Sequence, residues 1–372
     1  MTQSDISRDR YMLTGPLARN GYDWWWHSFT GHHAETGEPR AFFVEYFVIN
    51  PALSPGAVTF GQPPRDGIPS YVMIKAGSWG KGSQKKQIHG FFPTASADIA
   101  RDRLQVSVGG NLLSETHASG AVACTPEQAT AHPEFMSDSG TMSWNLAIEK
   151  KLALNIGFGA GRFFRSLNAF AMLWHAEGMK TLYTGTVAID GEKYVVSPET
   201  SYGYADKNWG TDFTNPWVWL ASSHLTRRST GEELTNSAID IGGGRPVAFG
   251  LPIARQVIAG LSLEGVDYTF NFSQFWTRSK TSFRCAESDT EISWKIQAEN
   301  ATHALAVDAV CPKDEMLLVN YESPAGLKQH KRLWNGGTGT GRIRLYKKVR
   351  GERVLIDDID MANNGCEYGE HA

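Results

Sequence analysis

The segment from residue 201 to residue 210 combines an acid, a base, an amide and two phenols with an indole ring, and two more indoles follow within residues 216–220. If this segment forms a strand, side chains two positions apart share one face. The side chains on that face are Tyr202, Tyr204, Asp206 and Asn208. Beyond the glycine and proline that follow, Trp217 and Trp219 share another face. An acid beside phenols and aromatic walls can hold and protonate an apolar substrate, although a well-packed strand pair has the same composition.

A second acid, Glu45, lies in the apolar run of residues 41–50. In a strand its side chain shares a face with Phe43, Phe47 and Ile49, so hydrophobic groups surround it whichever face is buried. Desolvation would raise its pKa and keep it protonated nearer neutral pH, as a general acid requires. The alternative is an ion pair with a Lys or Arg inside the fold, because unpaired buried carboxylates are rare.

Aromatic residues and glycine stand out in the composition, with 12 Trp, 12 Tyr, 18 Phe and 38 Gly. Aromatic side chains favour strands and apolar binding sites, and glycines favour tight hairpins and bulges. Hydrophobic residues make up 41% of the chain and charged residues 20%, a balance that can build a sizeable core. The composition therefore predicts an all-β protein.

The charge balance argues against a polyanionic partner. The 36 Lys and Arg residues face 39 Asp and Glu residues, and the net charge is -3. We therefore expect neither nucleic acid nor an anionic membrane as a partner. No apolar run reaches the length of a membrane span, and the N-terminus lacks the basic and apolar regions of a secretory signal. The sequence predicts a cytoplasmic protein without a membrane span.

The sequence lacks the usual motifs for metal, nucleotide and serine-hydrolase chemistry. Cys124, Cys285, Cys311 and Cys366 show no CxxC pairing, so neither a zinc site nor a disulfide framework is predicted. The pair His32-His33 has no third ligand at useful spacing. Glycine-rich stretches at 157–161 and 337–341 lack the GxGxxG spacing, and neither a Walker lysine motif nor a Gly-x-Ser-x-Gly elbow occurs. If the protein is an enzyme, we therefore predict that it works with side chains alone, with no metal and no other cofactor.

Local patterns predict several strands in the first part of the chain. Residues 22–29 and 41–50 are expected to form a long hairpin. Asp190-Gly191 lies between two strand-like runs and indicates another tight turn. Residues 174–225 are then expected to form one antiparallel meander.

A short helix is predicted for residues 162–173, where apolar side chains occur at helical spacing. The second half contains regularly spaced strand-like segments separated by turns. They are residues 237–241, 246–250, 256–263, 267–275, 291–298, 304–310, 315–321 and 342–349. This spacing predicts a sandwich or barrel in each half, and the length of 372 residues favours two domains.

The motif Tyr202-Gly203-Tyr204-Ala205-Asp206-Lys207-Asn208-Trp209-Gly210, followed by Phe213 and Pro216-Trp217-Val218-Trp219, resembles the signature of the tocopherol cyclase family. In that family an acidic residue precedes Lys-Asn-Trp-Gly, and a strand of the Trp-x-Trp type follows. Trp174-His175 and the strand pair around Asp190-Gly191 also occur in the order that the family shows. Plant-type members carry Glu at the position of Asp206, a departure that preserves the acid.

The family is similar to a wider set of lipocalin-like proteins that includes carotenoid 1,2-hydratases and fungal decalin-forming Diels–Alderases. The resemblance implies two lipocalin-like β-barrel or sandwich domains, with few short helices and a hydrophobic pocket at their junction. We place the two domains at residues 1–212 and 213–372.

The resemblance also implies a cofactor-independent cyclase or isomerase that acts on a hydrophobic phenolic or polyene small molecule. In tocopherol cyclase the implied reaction protonates a side-chain alkene while the ring phenol closes on the carbocation, giving a chromane. Such chemistry needs an acid of elevated pKa, electron-rich aromatic walls and the exclusion of water.

Two groups of site residues are predicted. The candidate acid and its proton partners are Asp206, Glu45, His175, Tyr202 and Tyr204. The candidate substrate-binding residues are Trp26, Lys207, Asn208, Trp209, Phe213, Trp217 and Trp219. Structural alternatives stay open for several of them: Lys207 would project to solvent, Asn208 would cap a turn, and Trp209 and His175 would belong to the core.

Two other functions stay open. The first is a non-catalytic lipocalin-like carrier of an apolar ligand, which would release that ligand unchanged. The second is an alkene hydratase, whose product gains one water and whose pocket must admit water. A polar channel that reaches Asp206 would favour the hydratase.

Overall fold

The computed structural model describes residues 6–53, 68–154, 170–326 and 332–370, and within these ranges β-strands dominate. The first sheet contains β1 (Tyr22–His33), β2 (Pro39–Ile49), β3 (Tyr71–Trp79), β4 (Lys86–Phe92), β5 (Asp98–Ile99), β6 (Gln105–Val108), β7 (Asn111–Ser114), β8 (His117–Cys124), β9 (Gly140–Leu154), β10 (Met172–Ile189), β11 (Glu192–Val196) and β12 (Gly203–Gly210). Neighbouring strands follow the order β4-β3-β2-β1-β11-β10-β9-β8-β7-β6-β5, and β12 pairs with both β1 and β10.

Two hairpins of this sheet follow local sequence signals. β1 and β2 pair antiparallel along their lengths, from Tyr22 opposite Ile49 to His32 opposite Pro39, which confirms the predicted long hairpin. The tight turn between β10 and β11 is at Asp190-Gly191, with φ angles of 49° and 90°. Positive φ at both central residues gives a turn whose twist matches that of the flanking strands, and glycine adopts it without steric conflict.

The second part of the chain forms another antiparallel sheet. The strands of this part are β13 (Trp217–Ser222), β14 (His224–Arg227), β15 (Ala238–Gly244), β16 (Val247–Ala248), β17 (Leu251–Pro252), β18 (Gln256–Leu263), β19 (Val266–Phe270), β20 (Lys280–Glu287), β21 (Glu291–Glu299), β22 (His303–Pro312), β23 (Leu317–Val319), β24 (Leu333–Val349) and β25 (Glu352–Gly369). The sheet order is β19-β18-β15-β13-β25-β24-β22-β21-β20, with β14 on β25 and β23 on β24. β16 and β17 form a separate pair.

Helices in the described ranges are short. An α-helix, α1 (Pro126–Ala131), begins at a capping box formed by Thr125 and Gln128. Single 3₁₀ turns occur at Gly15–Ala18, Gly82–Gln84, Thr94–Ser96, Pro133–Phe135, Phe275–Thr277 and Lys313–Glu315. None of the helices in the described part of the chain has the length and apolar character needed to cross a membrane. The all-β, lipocalin-like fold class predicted from the sequence is confirmed.

The buried apolar side chains form three clusters. One cluster lies on the inner face of the first sheet, which curls so that β4 approaches β8, and it includes Trp25 and Tyr183. Another lies on the inner face of the second sheet and includes Leu220. The third combines residues of both sheets, among them Trp24 and Trp217, and we call it the junction core. Because side chains alternate along a strand, one strand supplies residues both to a sheet's inner core and to the junction core.

Some organisational predictions are wrong. Residues 174–225 do not form one meander, because β13 belongs to the second sheet and β12 pairs with β1 and the first half of β10. β10 has 18 residues, so it is long enough to pair with β12 near its start and with β11 near its end. Strands β20 and β25 were not predicted, since their apolar alternation is weak. The first sheet ends at Gly210 and the second begins at Trp217, while the domain division at 212/213 stays a prediction.

The predicted helix at residues 162–173 lies largely outside the described residues. Where its last residues are described, a strand begins at Met172 instead. Met172 is opposite Gly210 of β12, so strand pairing overrides the helical spacing of the apolar side chains. The glycine-rich stretch at 157–161 also lies outside the described residues.

Candidate active site

Asp206 lies in the middle of β12, on the face that meets the second sheet. It is directly opposite Trp26 of β1, and its side chain is 6% exposed. Trp174 Nε1 donates a hydrogen bond to Asp206 Oδ2 at 2.7 Å, and the Tyr204 hydroxyl lies 3.1 Å from the same oxygen. Asp206 Oδ1 has no hydrogen-bond partner among the residues that the structure describes. One carboxyl oxygen is thus held by neutral donors while the other is open.

Burial raises the pKa of Asp206 to about 8, and the hydrogen bond from Trp174 only partly opposes this rise. The nearby carboxyl of Glu367 raises the pKa further. The Asp206 carboxyl is therefore neutral at pH 7. When Oδ2 accepts both hydrogen bonds, the acidic proton lies on the open oxygen, Oδ1.

Tyr204 joins Asp206 to a second buried acid, Asp240 of β15. The Tyr204 hydroxyl lies 2.9 Å from Asp240 Oδ2. The indole N–H of Trp219 is 3.2 Å from both the Tyr204 hydroxyl and Asp240 Oδ1. Burial, with the nearby Asp206, raises the pKa of Asp240 well above its ordinary value, and burial likewise raises the pKa of the Tyr204 phenol. Burial therefore favours the protonated form of both groups.

Glu367 of β25 is a third acid at the junction. Trp217 Nε1 donates to its Oε2 at 2.5 Å, and Asn335 Nδ2 donates to its Oε1 at 2.6 Å. Burial raises the pKa of Glu367 to about 7, against the effect of these two hydrogen bonds. Because both oxygens accept hydrogen bonds, the ionised form is better accommodated here than at Asp206. Asn335 also accepts a hydrogen bond from Trp79 of the first sheet, at 2.7 Å.

Glu45 forms the internal ion pair that the sequence left open as an alternative. Its Oε2 lies 3.1 Å from Lys75 Nζ, and both side chains are fully buried. The Tyr321 hydroxyl donates to the same oxygen at 3.1 Å, and Lys75 Nζ lies 3.9 Å from the centre of the Tyr321 ring. Burial raises the pKa of Glu45, although the charge of Lys75 opposes the shift. Glu45 is therefore anchored behind Tyr321.

A small cavity, which we call the acid cavity, lies between the two sheets at Asp206. Its volume is about 10 Å³, room for about one water molecule. Its lining residues are Trp24, Trp26, Asp206, Trp217, Trp219, Tyr321 and Glu367. Five of these seven are aromatic, so the acids face indole and phenol rings. Such surfaces are electron-rich and can stabilise a cation.

A larger groove of about 80 Å³, the outer groove, adjoins the acid cavity and is lined mainly by apolar side chains. Phe170, Met172, Leu173, Ile258 and Phe272 contribute to it, together with Trp174 and Trp217. Trp217 lines both spaces, and Trp174 donates its N–H to Asp206. The two indoles therefore separate the groove from the acids.

Close backbone approach at glycines sets the positions of two indoles between the sheets. A Cβ on Gly242 of β15 would lie 2.7 Å from the Trp174 ring, and a Cβ on Gly337 of β24 would overlap the Trp79 ring. In both pairs the indole comes from the first sheet and the glycine from the second. We call these two contacts the indole–glycine contacts.

Several predicted substrate-binding residues lie in the junction core. Trp26, Trp217 and Trp219 line the acid cavity, and Trp26 stacks on Phe43 with ring centres 4.9 Å apart. Phe213 packs 5.9 Å from Trp24, one of the cavity walls. Asn208 shares the face of Asp206, where its Oδ1 accepts a hydrogen bond from the Tyr22 hydroxyl at 2.8 Å. Its role is therefore not that of a turn cap.

Three predicted residues lie on the opposite face of the first sheet, away from the acid cavity. Lys207 forms a fully buried ion pair with Asp23, so the expectation of a solvent-exposed lysine is wrong. The reason is that the first sheet curls and encloses this face. His175 is opposite Lys207, and its Nε2 lies 3.1 Å from Asp9 Oδ1. Trp209 is buried on the same face, and the Lys207 ammonium lies 5.6 Å from its ring centre.

Tyr202 does not share the strand face of Asp206. β12 begins one residue later, at Gly203, and Tyr202 has a φ of 40°, which turns its side chain out of the strand alternation. Its ring stacks on His224 with a centre-to-centre distance of 3.8 Å. The structure thus separates Tyr202 from Tyr204 and Asp206.

Sequence reasoning missed Asp240, Glu367 and Tyr321. Asp240 lies within a predicted strand between Ile239 and Ile241, which is the same signal of an acid in an apolar row that identified Glu45. Glu367 lies in a strand that was not predicted, and Tyr321 lies beyond the end of a short one. Their local sequence gives no comparable signal.

No group of three or more His, Cys, Asp or Glu side chains has the arrangement of a metal site within the described ranges. The carboxyls of Asp206, Asp240 and Glu367 are bound by indole, phenol and amide donors. Burial raises the pKa of each of these acids despite the hydrogen bonds, which favours the protonated form.

Comparison with known proteins gives two solved structures of similar extent and low sequence identity. One is a Nitrosomonas europaea protein assigned as AttH, with 12% identity, a TM-score of 0.42 and 92% coverage of both chains. The other is CghA with Sch210972, with 10% identity and a TM-score of 0.47, covering 95% of this chain and 89% of that one. No curated protein matches the sequence.

A protein-family model gives the decisive comparison. The model described as tocopherol cyclase-like matches residues 159–370, which is more than half of the chain. The matched region includes the Asp206 motif predicted above and also Asp240 and Glu367. The chain therefore belongs to the tocopherol cyclase-like family.

Proposed function

We propose that this protein is a cofactor-independent cyclase or isomerase that closes a ring in a hydrophobic phenolic or polyene small molecule. Membership of the tocopherol cyclase-like family supports a cyclase-type role. The observation that carries the finer proposal is the Asp206 carboxyl, which has one oxygen without a hydrogen-bond partner among the described residues and lines a cavity walled by aromatic rings.

In the proposed reaction Asp206 is the general acid. The Oδ1–H bond breaks, the π electrons of a substrate alkene form a new C–H bond, and a carbocation remains on the other alkene carbon. The faces of Trp26, Trp219 and Tyr321 stabilise the cation. A ring hydroxyl of the substrate then forms the C–O bond, and its proton returns to the Asp206 carboxylate. The net reaction is an isomerisation that consumes no proton.

Glu367 supports this step from the opposite wall of the acid cavity. Its pKa of about 7 gives it a negative charge above neutral pH, where Asp206, with a pKa of about 8, still carries a proton. A fixed negative charge near a developing cation lowers the energy of the transition state. The two acids therefore suit different roles at the same pH.

The size and lining of the two spaces support an elongated apolar substrate. The outer groove offers apolar walls for the body of such a molecule. The acid cavity has room for about one water molecule, so only a small group of the substrate would reach Asp206. Burial of apolar surface contributes roughly 25 cal/mol per Å², so such a groove can supply binding energy to a hydrophobic tail. Closed walls around Asp206 also limit the access of water to the cation.

The test is incubation of the purified protein with prenylated quinols and with hydroxylated chalcone-like phenols, followed by chromatography and mass spectrometry. We expect a ring-closed product of unchanged mass. Asp206→Asn removes the acidic proton while preserving shape, and we expect a rate loss of roughly 10²–10⁴-fold. The matched control is Asp267→Asn on β19, an exposed acid, which should retain the wild-type rate.

Other outcomes separate the alternatives. A product that gains one water would indicate a hydratase. A co-purified ligand that is released unchanged, without conversion of any substrate, would indicate a carrier. Full activity in Asp206→Asn would contradict the role of Asp206 as the acid.

A further inference from the structure

We propose that Tyr204 and Asp240 are positioning residues that form a proton relay with Asp206, so that two carboxyls on different sheets share protons through one phenolic hydroxyl. This inference rests on the proposed role of Asp206 as the proton donor. It adds Asp240, a residue of the second sheet, to the machinery of the site.

The first step is a count of hydrogen atoms at the Tyr204 hydroxyl. This hydroxyl can donate one hydrogen bond and accept two. It lies 3.1 Å from Asp206 Oδ2 and 2.9 Å from Asp240 Oδ2, and the N–H of Trp219 points to it from 3.2 Å. Tyr204 can donate to only one of the two carboxyl oxygens. The other carboxyl must therefore carry a proton and donate it to the Tyr204 oxygen.

The second step is the placement of the Asp240 proton. Asp240 Oδ1 is 3.2 Å from the Trp219 N–H, so this oxygen acts as an acceptor. The proton of neutral Asp240 then lies on Oδ2, the oxygen that faces Tyr204. Asp240 is fully buried, and no Lys or Arg of the described residues forms an ion pair with it, so its neutral form is favoured.

Two proton arrangements satisfy these contacts. In the first, Asp240 donates to Tyr204 and Tyr204 donates to Asp206 Oδ2, which leaves the acidic proton of Asp206 on Oδ1. In the second, Asp206 Oδ1 has given its proton to the substrate, Asp206 Oδ2 donates to Tyr204, and Tyr204 donates to an ionised Asp240. Once the Oδ1 proton has left, a concerted shift of two protons along the same hydrogen bonds converts the first arrangement into the second, and no heavy atom has to move.

The relay acts after Asp206 has protonated the substrate. The Tyr204 O–H bond breaks and a bond forms to Asp206 Oδ2, while the Asp240 proton moves to the Tyr204 oxygen. Asp206 is then neutral again, and the negative charge lies on Asp240. When the substrate hydroxyl returns its proton to Asp206 Oδ1, the two relay protons move back. The relay thus keeps a bare carboxylate from recapturing the proton or adding to the cation.

The first experiment needs no substrate. Infrared spectra of protein labelled with ¹³C at the aspartate carboxyls distinguish protonated from ionised carboxyl groups. At pH 7 we expect two protonated aspartate bands in the wild type, one of which disappears in Asp206→Asn and the other in Asp240→Asn. Tyr204→Phe should shift both bands, because both carboxyls lose the same hydroxyl. An ionised Asp240, or a band unmoved by Tyr204→Phe, would overturn the relay.

The second experiment uses turnover of a converted substrate. Asp240→Asn keeps an N–H donor towards Tyr204 and an acceptor for Trp219, so it preserves the contacts and blocks proton transfer. We expect Asp240→Asn and Tyr204→Phe to lower kcat roughly 10-fold each, less than the loss of the general acid itself, with little change in KM. The kcat of the double variant should be no lower than that of the more impaired single variant, because both changes break the same relay.

If Asp240 had a merely structural role, its substitution would not change the number of protons that move in the rate-limiting step. Rates measured in mixtures of H2O and D2O should depend on the deuterium fraction in a curved manner for the wild type and linearly for Asp240→Asn. The control is Ile239→Val, which changes a buried neighbour of Asp240 in the apolar cluster on the inner face of the second sheet. Its rates should depend on the deuterium fraction in the same curved manner as those of the wild type. Wild-type rates and curvature in Asp240→Asn, with Asp206→Asn inactive, would overturn the relay and leave the proposed function intact. Activity in Asp206→Asn would instead remove the proposed function.

Discussion

Successive residues of β12 belong to two kinds of buried polar site. On the inner face of the first sheet, Lys207 pairs with Asp23. On the junction face, Asp206 is bound by the neutral N–H of Trp174 and the hydroxyl of Tyr204. Burial is similar on both faces, but burial raises the pKa of Asp23 only to about 6 and that of Asp206 to about 8, because the charge of Lys207 opposes the rise at Asp23. At pH 7 Asp23 is ionised and Asp206 is neutral.

The inner face contains a larger charged cluster of the same kind. Lys150 Nζ lies 3.0 Å from Asp9, 2.9 Å from Glu115 and 3.2 Å from Glu177. Burial would raise the pKa of Asp9, but Lys150 and His175 together outweigh burial and lower it. At Asp9 and Asp23 a lysine partner thus favours the ionised acid, whereas the neutral donors at Asp206 do not overcome the effect of burial.

Breaking the charged cluster should have the largest effect on stability. Lys150→Met leaves several buried carboxyls without their cation, and we expect a loss of about 3–5 kcal/mol in the free energy of unfolding, measured with urea at pH 7. Lys151→Met is the control, because this neighbouring lysine is 42% exposed and should change stability by less than about 0.5 kcal/mol. Equal stability of the two variants would show that the inner face does not depend on ion pairing.

The junction face should respond to pH in the opposite sense from an ion-paired acid. The pKa of Asp206 is raised on folding, so its stabilising contribution is complete below the unfolded pKa, near 4, and is lost as pH rises through about 8. Relative to Asp206→Asn, the wild type should therefore lose up to about 1.4 kcal/mol of stability per pH unit between pH 5 and 7. Urea unfolding of both proteins across this range is the measurement. Parallel stability curves would contradict a neutral Asp206.

A substitution next to Asp206 should change the pKa of this acid without removing the carboxyl. Trp174→Phe keeps the aromatic ring and deletes the N–H that lowers the pKa of Asp206, so that pKa should rise by about one unit. In the proposed reaction the protonated form is the active one, so the alkaline limb of kcat/KM should move from about pH 8 to higher pH. The control is Trp144→Phe, in the apolar cluster on the inner face of the first sheet, which should not shift the alkaline limb of kcat/KM. A shift to lower pH would mean that Trp174 does not stabilise the carboxylate.

Local periodicity was sufficient to predict the hairpin of β1 and β2, the Asp190-Gly191 turn and the shared face of Tyr204 and Asp206. It also predicted that Trp217 and Trp219 lie together. These features depend on neighbours in the chain or on strand alternation, which a sequence shows directly.

The remaining features depend on contacts between distant parts of the chain. Asp240 and Glu367 reach the acid cavity only because the two sheets pack face to face. The alternation of β12 places Lys207 opposite Asp206, but whether that opposite face is solvent or interior depends on how the sheet curls. Because Tyr202 has a left-handed φ, the strand alternation starts one residue later than the motif suggests. Neither closure of a sheet nor the exact start of a strand has a local signal in this sequence.

The indole–glycine contacts have a mechanical consequence. The rings of Trp174 and Trp79 pack on the second sheet at glycines, where no Cβ is present. Neither sheet can therefore slide along the other without bringing an indole against a residue that has a Cβ. Groups contributed by separate halves of the chain are thereby kept at fixed separations without any covalent crosslink between them. Rigidity of this origin keeps the acids of the two sheets in fixed positions before a substrate binds, so the acids need not rearrange when charge develops.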